Sequence, residues 1–446
     1  MSAHILEVPP QKPTPVTATS DVAQGNETSE QLLESGQVSA SGQLFGSNGA
    51  SVEELVETDA RVGIQTYGRL PIAFTKAKGA RLWDGKGKEY LDFLGGIAVI
   101  TVGHSHEAVT AAITRQAETL MHSSNLYYIE PQVKLAEKLH ELSGGMRAWF
   151  CNSGAEANEA ALKLARKHAK SKDAARYEII TTFDSFHGRT YGSLAATGQP
   201  KYHEGFEPMP GGFVYVHRND VEALEAAVNE RTAAILLEPI QGESGINPFS
   251  DAYLQRAREL CDEHGLVLMF DEVQCGMGRT GKFFAHEWTG VRPDIVTLAK
   301  GLGNGVPIGA LLAVEDVAAS FVPGNHGCTF GGNFLSTAAA LATIEVLQSE
   351  KLMQNSLEVG AYFTQQLEVW GEKTGIIKEV RGRGLMIGAE LSKPVARDLM
   401  KACLENGLVF NAVGDTVLRF LPPLCITRAD VDEAMTKLND ALSAIQ

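Results

Sequence analysis

The sequence predicts an α/β fold in which a large domain with a mostly parallel sheet is accompanied by a smaller α+β domain. Between residues 149 and 314, short apolar runs alternate with helical patterns, and this alternation is typical of a parallel sheet covered by helices on both faces. After about residue 335 the pattern changes to longer helices that flank short strands. The chain has 446 residues, of which 44% are apolar, and this length is enough for two or three domains.

Seven strands and three helices are predicted in the large domain. The strands are expected at residues 149–151, 178–182, 213–216, 234–237, 266–270, 295–298 and 310–314. The helices are expected at residues 156–170, 221–229 and 251–264, and Gly265 is placed to end the last of them. In a sheet of this kind, ligands bind at the carboxyl ends of the strands.

The smaller domain is predicted to combine two distant parts of the chain. Helical patterns at residues 335–348, 395–405 and 428–445 flank a short strand at residues 386–390. Strand and turn signals between residues 66 and 100 belong with them. The predicted domains are a tail at 1–50, small-domain parts at 51–100 and 346–446, and the large domain at 101–345.

The first 50 residues differ from the rest of the chain. They are rich in Pro, Ser, Thr, Gly and Gln and have almost no periodic apolar residues. Such a segment buries too little surface to offset its chain entropy, so we predict a disordered polar tail. An organelle-targeting peptide is disfavoured, because Lys12 is the one basic residue among five acidic ones, although an organelle matrix stays open as a location.

The composition disfavours several classes of partner and site. The formal net charge is -15 at pH 7, whereas nucleic acids and anionic membranes require clustered Lys and Arg. No apolar run reaches the roughly 18 residues of a transmembrane helix. The six cysteines form no C-x-x-C pair and no zinc spacing with histidine, so we expect reduced thiols, no metal and a cytoplasmic location.

Two predicted strand ends carry residues suited to a phosphate and to a cationic ring. Ser153 can cap the next helix, and Gly154 and Ala155 leave backbone N–H groups free for a phosphate. Asp271 is costly to bury unless a cation, such as a protonated pyridine nitrogen, meets it. Taken alone, a plain strand-to-helix turn and a structural salt bridge remain alternative interpretations.

Two further strand ends complete a predicted pocket. Lys300 precedes a glycine-rich loop, where partial desolvation would make its amine nucleophilic. Phe186 offers a ring face for stacking, and Arg189 offers a fork for a carboxylate. An exposed lysine, a core phenylalanine and a surface ion pair remain alternatives for each residue alone. Together the four segments predict a site for pyridoxal 5′-phosphate (PLP), which needs a lysine and an acid at its ring nitrogen.

Six segments of the sequence resemble the class III aminotransferases. They are Asn152-Ser-Gly-Ala-Glu-Ala-Asn, Phe186-His-Gly-Arg-Thr, Leu237-Glu-Pro-Ile-Gln-Gly-Glu, Phe270-Asp-Glu-Val-Gln, Leu298-Ala-Lys-Gly-Leu and His326-Gly-Cys-Thr-Phe-Gly-Gly-Asn. Three more are similar to the branch of the family that acts on N-acetylornithine in arginine biosynthesis, namely Ser123-Ser-Asn-Leu-Tyr-Tyr, Leu135-Ala-Glu-Lys-Leu and Leu418-Arg-Phe-Leu-Pro-Pro-Leu. The resemblance runs from about Tyr67 to the C-terminus.

The resemblance implies a PLP-dependent enzyme of fold type I that acts as a homodimer. Lys300 would hold the cofactor covalently and move a proton, Asp271 would pair with the pyridinium, and Gln274 would lie near the ring hydroxyl. The other implied cofactor contacts are Ser153, Gly154, Ala155, Phe186, Val273 and Thr329, the last of which would reach the cofactor of the neighbouring subunit.

The resemblance also implies the substrate contacts. Arg189 would hold the α-carboxylate of acetylornithine and the distal carboxylate of glutamate. Arg419 would hold the α-carboxylate of glutamate, and Glu243 would mask it otherwise. Cys328 departs from the Ser or Thr expected at its position, and its thiol is the weaker hydrogen-bond donor. The expected reaction moves the δ-amino group of N-acetylornithine to 2-oxoglutarate, giving N-acetylglutamate semialdehyde and glutamate.

Three other functions compete with this interpretation. The first is another ω-aminotransferase, for ornithine, succinylornithine or 4-aminobutyrate, because a methylene or acyl difference is worth only about 1–3 kcal/mol. The second is an inactive PLP-binding regulator, against which the presence of Lys300, Asp271 and Arg189 argues. The third is a metallohydrolase built on His104 and His106, which lacks further ligands at a suitable spacing.

Removing the predicted tail should leave stability and activity nearly unchanged. Because residues 1–50 are expected to bury little surface, a protein that begins at Ser51 should melt within about 2 °C of the full chain. Its turnover should also match that of the full chain. Calorimetry and steady-state kinetics on both proteins check this, and a large fall in either quantity would show that the segment packs on the body.

Overall fold

The computed structural model describes residues 51–445, so the predicted tail lies outside the described residues. These residues form two compact units, 51–71 and 72–445. The first unit contains one helix, and Ser51 and Glu54 cap its first turn with a reciprocal pair of hydrogen bonds. The second unit contains the sheets and all residues of the candidate site.

The bounds of the elements are as follows. The strands are β1 (Phe74–Lys78), β2 (Arg81–Asp84), β3 (Glu89–Asp92), β4 (Arg147–Cys151), β5 (Glu178–Thr182), β6 (Phe213–Val216), β7 (Thr232–Leu237), β8 (Ile240–Gln241), β9 (Asn247–Pro248), β10 (Val267–Asp271), β11 (Ile295–Leu298), β12 (Gly309–Ala313), β13 (Ile377–Arg383), β14 (Met386–Leu391), β15 (Leu408–Val409), β16 (Asn411–Val413) and β17 (Val417–Phe420). The helices are α1 (Val52–Val62), α2 (Gly95–Ala98), α3 (Glu107–Thr119), α4 (Glu130–Leu142), α5 (Gly154–Lys172), α6 (Tyr191–Ala196), α7 (Val221–Ala227), α8 (Asp251–His264), α9 (Glu315–Ala318), α10 (Phe334–Ser349), α11 (Leu352–Thr374), α12 (Ala396–Glu405) and α13 (Arg428–Ile445). Short 3₁₀ turns lie at Pro200–Tyr202, Ala285–Trp288 and Lys300–Leu302.

One sheet contains seven strands in the order β4, β12, β11, β10, β7, β5, β6. Neighbouring strands are parallel except at β12, which runs antiparallel to both β11 and β4. The strands β4, β5, β7, β10 and β11 therefore end at the same edge of the sheet. This arrangement confirms the predicted large, mostly parallel sheet, and it brings five loops together at one edge.

Helices cover both faces of this sheet because its strands are apolar on both sides. Along β7, Ala234 and Leu236 belong to a core cluster that includes α5. Ile235 and Leu237 belong to a second cluster that includes α7 and α8. This alternation follows from the period of two residues along a strand. As predicted, Gly265 ends α8 in a left-handed conformation with φ of 64°, which glycine adopts without strain.

Of the two other large sheets, one joins N-terminal strands to a C-terminal strand, and the other is built from C-terminal strands alone. β1, β2 and β3 share a sheet with β15, and β13, β14, β17 and β16 form an antiparallel sheet. The largest core cluster contains Leu91 and Phe93 together with Leu418 and Phe420. The expectation of a smaller α+β domain built from N-terminal and C-terminal parts is thus confirmed, whereas the domain boundaries near residues 100 and 345 remain predictions.

Several elements differ from the sequence-based expectations. The helices α3, α4 and α11 were not predicted. In α3, Val109 is the one buried residue, so its apolar period is weak. In α11, the buried face includes Ser356 and Gly360, which interrupt the apolar pattern. Within residues 51–445, none of the helices combines the length and the apolar character that crossing a membrane requires.

Candidate active site

A cavity of about 370 Å³ lies at the carboxyl ends of the parallel strands. The segments that follow β4, β5, β7, β10 and β11 contribute to its wall. Ten predicted site residues line it: Ser153, Gly154, Ala155, Phe186, Arg189, Glu243, Asp271, Val273, Gln274 and Lys300. The structure therefore brings these residues together, while the role of each one remains a prediction.

The turn from β4 into α5 forms one wall of the cavity. Ser153 caps the helix, and its hydroxyl accepts a hydrogen bond of 3.2 Å from the N–H of Glu156. Gly154 and Ala155 are the first residues of the helix, whose leading N–H groups have no intrahelical partner. A β-carbon at Gly154 would lie 2.8 Å from the side chain of Val273, so only glycine allows this close approach. The helix thus presents free donors and a partial positive charge at the cavity.

Asp271, at the end of β10, is held by three donors. Its Oδ2 accepts hydrogen bonds from Asn158 Nδ2 at 2.7 Å and from His187 Nδ1 at 2.8 Å. Its Oδ1 accepts one from the N–H of Val273 at 3.0 Å. Asn158 is held in turn by Thr297, whose hydroxyl donates to Asn158 Oδ1 at 2.8 Å. The carboxylate is 3% exposed, so its position is set by this network.

Lys300 follows β11 and starts a short 3₁₀ turn at the cavity wall. Its backbone φ is 35°, a conformation that costs a residue with a β-carbon about 1 kcal/mol or more. Burial lowers the pKa of its amine below the usual value, and Arg419 adds to the effect. Glu243 and Asp271 oppose the shift without cancelling it. The lysine therefore loses its proton more readily than a lysine in water does.

Arg189 lies among aromatic rings rather than carboxylates. Its guanidinium carbon is 3.9 Å from the ring centre of Tyr202 and 5.4 Å from that of Phe186. Its side chain is exposed, and within residues 51–445 it forms no ion pair. Such a cation is placed to receive a carboxylate from a ligand.

Arg419, on β17, is buried and is paired with Glu243. Its Nη1 donates to Glu243 Oε2 at 2.8 Å and to the carbonyl of Gly242 at 2.9 Å. Burial alone would raise the pKa of Glu243, but the charge and hydrogen bond of Arg419, together with the charges of Lys300 and Arg189, hold that pKa below the usual value. Arg419 does not line the cavity itself, and Glu243 stands between the two.

Glu238 joins two loops of the cavity. Its carboxylate accepts a hydrogen bond from the N–H of Phe186 at 2.8 Å and another from that of Gly242 at 3.3 Å. Burial raises the pKa of Glu238 to about 7, although His187 and both N–H groups act in the opposite direction. The loop that carries Phe186 is therefore fastened to the loop that carries Glu243.

Three remaining predicted residues occupy different positions. Gln274 lines the cavity, and its buried Oε1 has no hydrogen-bond partner among the described residues. Cys328 is half-buried and does not line the cavity, and its Sγ accepts a hydrogen bond of 3.1 Å from Nδ2 of the cavity residue Asn152. Thr329 is exposed and does not line this cavity.

The family of the chain follows from comparison with known proteins. The model of the aminotransferase class-III family matches residues 63–442. The chain is a class III aminotransferase. It is 52% identical to the acetylornithine aminotransferase of Methanocaldococcus jannaschii over 398 residues, which cover 89% of this chain and 100% of the relative. It is 47% identical to that of Aquifex aeolicus over 381 residues, covering 85% and 99%.

Solved structures of related enzymes share the fold of this aminotransferase. The ornithine aminotransferase of Toxoplasma gondii is 35% identical with a TM-score of 0.85, and the match covers 94% of this chain and 99% of that one. The acetylornithine aminotransferase of Elizabethkingia anophelis is 32% identical with a TM-score of 0.80, covering 89% and 100%. These matches confirm the predicted class of fold.

The sequence analysis missed four residues of this aminotransferase that shape the site. They are Asn158, His187, Tyr202 and Glu238. Asn158, His187 and Glu238 all lie inside segments that were recognised by their resemblance to the family. Nothing in the sequence pattern marked Tyr202 as a site residue, because only the folding of the chain brings it next to Arg189.

Replacing Glu243 with Gln should destabilise this aminotransferase in a pH-dependent way. The pKa of Glu243 lies below its unfolded value, so its ion pair stabilises the folded state above an unfolded pKa of about 4.3 and loses that effect as the pH falls through the folded pKa. We expect a deficit of about 1–3 kcal/mol at neutral pH.

Thermal unfolding of the wild type and of Glu243→Gln across acidic and neutral pH measures this deficit. The deficit should narrow as the solution becomes strongly acidic. Glu379→Gln is the matched control, because the carboxylate of Glu379 also pairs with an arginine, Arg381, but is exposed to solvent. A deficit that is constant with pH would contradict the ion-pair explanation.

Proposed function

We propose that this aminotransferase transfers the δ-amino group of N-acetylornithine to 2-oxoglutarate, giving N-acetylglutamate semialdehyde and glutamate. The observation that carries the proposal is a pair of arginines with different partners, since Arg189 is open to a ligand whereas Arg419 is covered by Glu243. Two donors of different shape require this difference, because glutamate has a carboxylate on its reacting carbon and acetylornithine has none there. The acetylornithine aminotransferases that are similar over most of the chain support the same substrate.

The residues at the cavity fit PLP as the cofactor. The Oε1 of Gln274, which has no partner among the described residues, offers a polar contact to a substituted ring, and the lack of a side chain at Gly154 lets the start of α5 lie close to Val273 at the cavity. Ser153, Gly154 and Ala155 would hold the phosphate, Phe186 and Val273 would flank the ring, and Asp271 would pair with its nitrogen. When bound, PLP supplies an electron sink that stabilises negative charge on the carbon next to the transferred nitrogen.

Lys300 would act as the proton carrier at the reacting carbon. Because burial lowers the pKa of its amine, a larger fraction is neutral near physiological pH than in water, and a neutral amine can accept a proton. Asp271 would face the ring nitrogen, since three hydrogen bonds fix the position of its carboxylate.

The two arginines would bind different carboxylates of the substrates. Arg189 would hold the carboxylate that lies far from the reacting carbon in both donors, and Arg419 would hold the α-carboxylate of glutamate. Glu243 would neutralise Arg419 while acetylornithine is bound, because an unpaired cation beside an apolar methylene is costly. Cys328 would act only indirectly, since it contacts the cavity residue Asn152.

We also propose that the enzyme works as a homodimer in the cytoplasm. Thr329 is exposed outside the cavity of its own chain and would serve the phosphate in the partner subunit. Leu126, Tyr127 and Tyr128 are at least 70% exposed, which is unusual for three adjacent large side chains and supports an interface. The net charge of -15 argues against nucleic acid or an anionic membrane as a partner.

The substrate should be decided by direct competition among donors. We expect kcat/KM for N-acetylornithine to exceed that for ornithine, succinylornithine and 4-aminobutyrate by about tenfold or more. Steady-state kinetics with 2-oxoglutarate as acceptor measure this ratio of kcat/KM values.

Lys300→Ala should fold but lose the visible absorbance of the lysine-bound cofactor and nearly all turnover. A preference for another donor would contradict the proposed substrate, and wild-type turnover in Lys300→Ala would contradict the proposed chemistry.

The two half-reactions should respond oppositely to the loss of each charge. Glu243→Ala should slow the acetylornithine half-reaction by about tenfold or more while sparing the glutamate one, because the exposed charge of Arg419 then faces an apolar methylene. Arg419→Ala should slow the glutamate half-reaction selectively. Single-turnover absorbance traces with each donor measure both rates. If Glu243→Ala slowed both half-reactions equally, the proposal that Glu243 masks Arg419 only for acetylornithine would be refuted.

A further inference from the structure

Arg419 has a third contact that none of its proposed roles explains. Asn411 on β16 lies directly opposite Arg419 on β17 in the antiparallel pair. The Nε of Arg419 donates to Asn411 Oδ1 at 3.0 Å. Because a guanidinium has only donors, the amide must present its oxygen here. Asn411 is half-buried, whereas the Arg419 side chain is 1% exposed.

The acceptors around Arg419 fall into two kinds. Glu243 provides a charged oxygen, whereas Asn411 and the carbonyl of Gly242 provide neutral ones. A neutral acceptor satisfies an N–H group and holds the side chain in place, yet it leaves the positive charge uncancelled. If Glu243 swings away, the two neutral contacts remain, and the guanidinium keeps its position and its charge.

The position of Asn411 suits this task. It is fixed by the ladder between β16 and β17, which also fixes the backbone of Arg419. Glu243, in contrast, lies on the segment between the short strands β8 and β9, and its side chain is 29% exposed. Asn411 is therefore attached to the same sheet as the arginine, whereas Glu243 and the carbonyl of Gly242 belong to a separate loop.

We propose that Asn411 is a positioning residue for the glutamate half-reaction, which holds Arg419 in place through a neutral contact so that Glu243 can be replaced by the α-carboxylate of the donor. This proposal rests on the proposed function, in which Arg419 binds that carboxylate. An acid at position 411 would keep Arg419 neutralised whether or not Glu243 is present. An apolar residue there would leave the buried Nε without an acceptor.

Replacing Asn411 with Asp tests the neutrality of the contact. We expect the ratio of the glutamate rate to the acetylornithine rate in single-turnover traces to fall by about tenfold or more, because a second carboxylate repels the α-carboxylate of glutamate. Asn411→Leu, which keeps the number and branching of the side-chain heavy atoms but has no acceptor, should instead raise KM for glutamate several-fold with a smaller change in kcat. Melting temperatures are measured for both variants, so that a general loss of folding is recognised.

The outcomes separate this proposal from the proposed function. If the wild type uses both donors and Arg419→Ala loses glutamate selectively, yet both Asn411 variants keep the wild-type ratio, the inference about Asn411 is overturned. Equal slowing of both half-reactions, in step with a lower melting temperature, would also overturn it in favour of a structural role. If instead Arg419→Ala shows no selectivity, the proposed function of Arg419 itself fails. If Asn411→Asp does not fold, the KM effect in Asn411→Leu decides.

Discussion

The rest of the site depends on the burial of one carboxylate, that of Asp271 at the end of β10. A carboxylate at 3% exposure is costly unless its oxygens accept hydrogen bonds, and donors from α5, from the segment after β5 and from the chain after β10 meet it. Satisfying this charge places the start of α5 and the segment that carries Phe186 around the same point. The cavity is thus a consequence of how a parallel sheet stabilises a buried negative charge at its edge.

The two arginines illustrate how surroundings assign different tasks to one residue type. Arg189 is exposed and stacks on Tyr202, so its hydrogen-bonding fork is available to a ligand. Arg419 is buried, and a buried guanidinium needs acceptors, which Glu243, Gly242 and Asn411 supply. The acceptors of Arg419 differ in charge and in attachment to the fold, because Asn411 lies on the strand paired with that of the arginine, whereas Glu243 and Gly242 lie on a separate loop.

Coupling between the loops follows from a second buried acid. Glu238 accepts hydrogen bonds from both the Phe186 segment and the Gly242 segment, so the segments that carry Phe186 and Glu243 are held by the same carboxylate. Arg419 arrives from β17, which belongs to a sheet built from the C-terminal part of the chain. The site therefore joins the edge of the parallel sheet to the smaller sheet through the ion pair between Glu243 and Arg419.

The sequence by itself determined the class of fold, because the alternation of apolar runs and helical patterns requires a covered parallel sheet. It also identified the segments at the strand ends where Ser153, Asp271 and Lys300 lie. The family resemblance supplied Arg419 and Glu243. Only the tertiary structure decided that Asn158 and His187 meet Asp271, that Tyr202 stacks on Arg189, and that Asn411 holds Arg419. These contacts join residues far apart or on different strands, and local pattern cannot encode a distance that arises only when strands pair and loops converge.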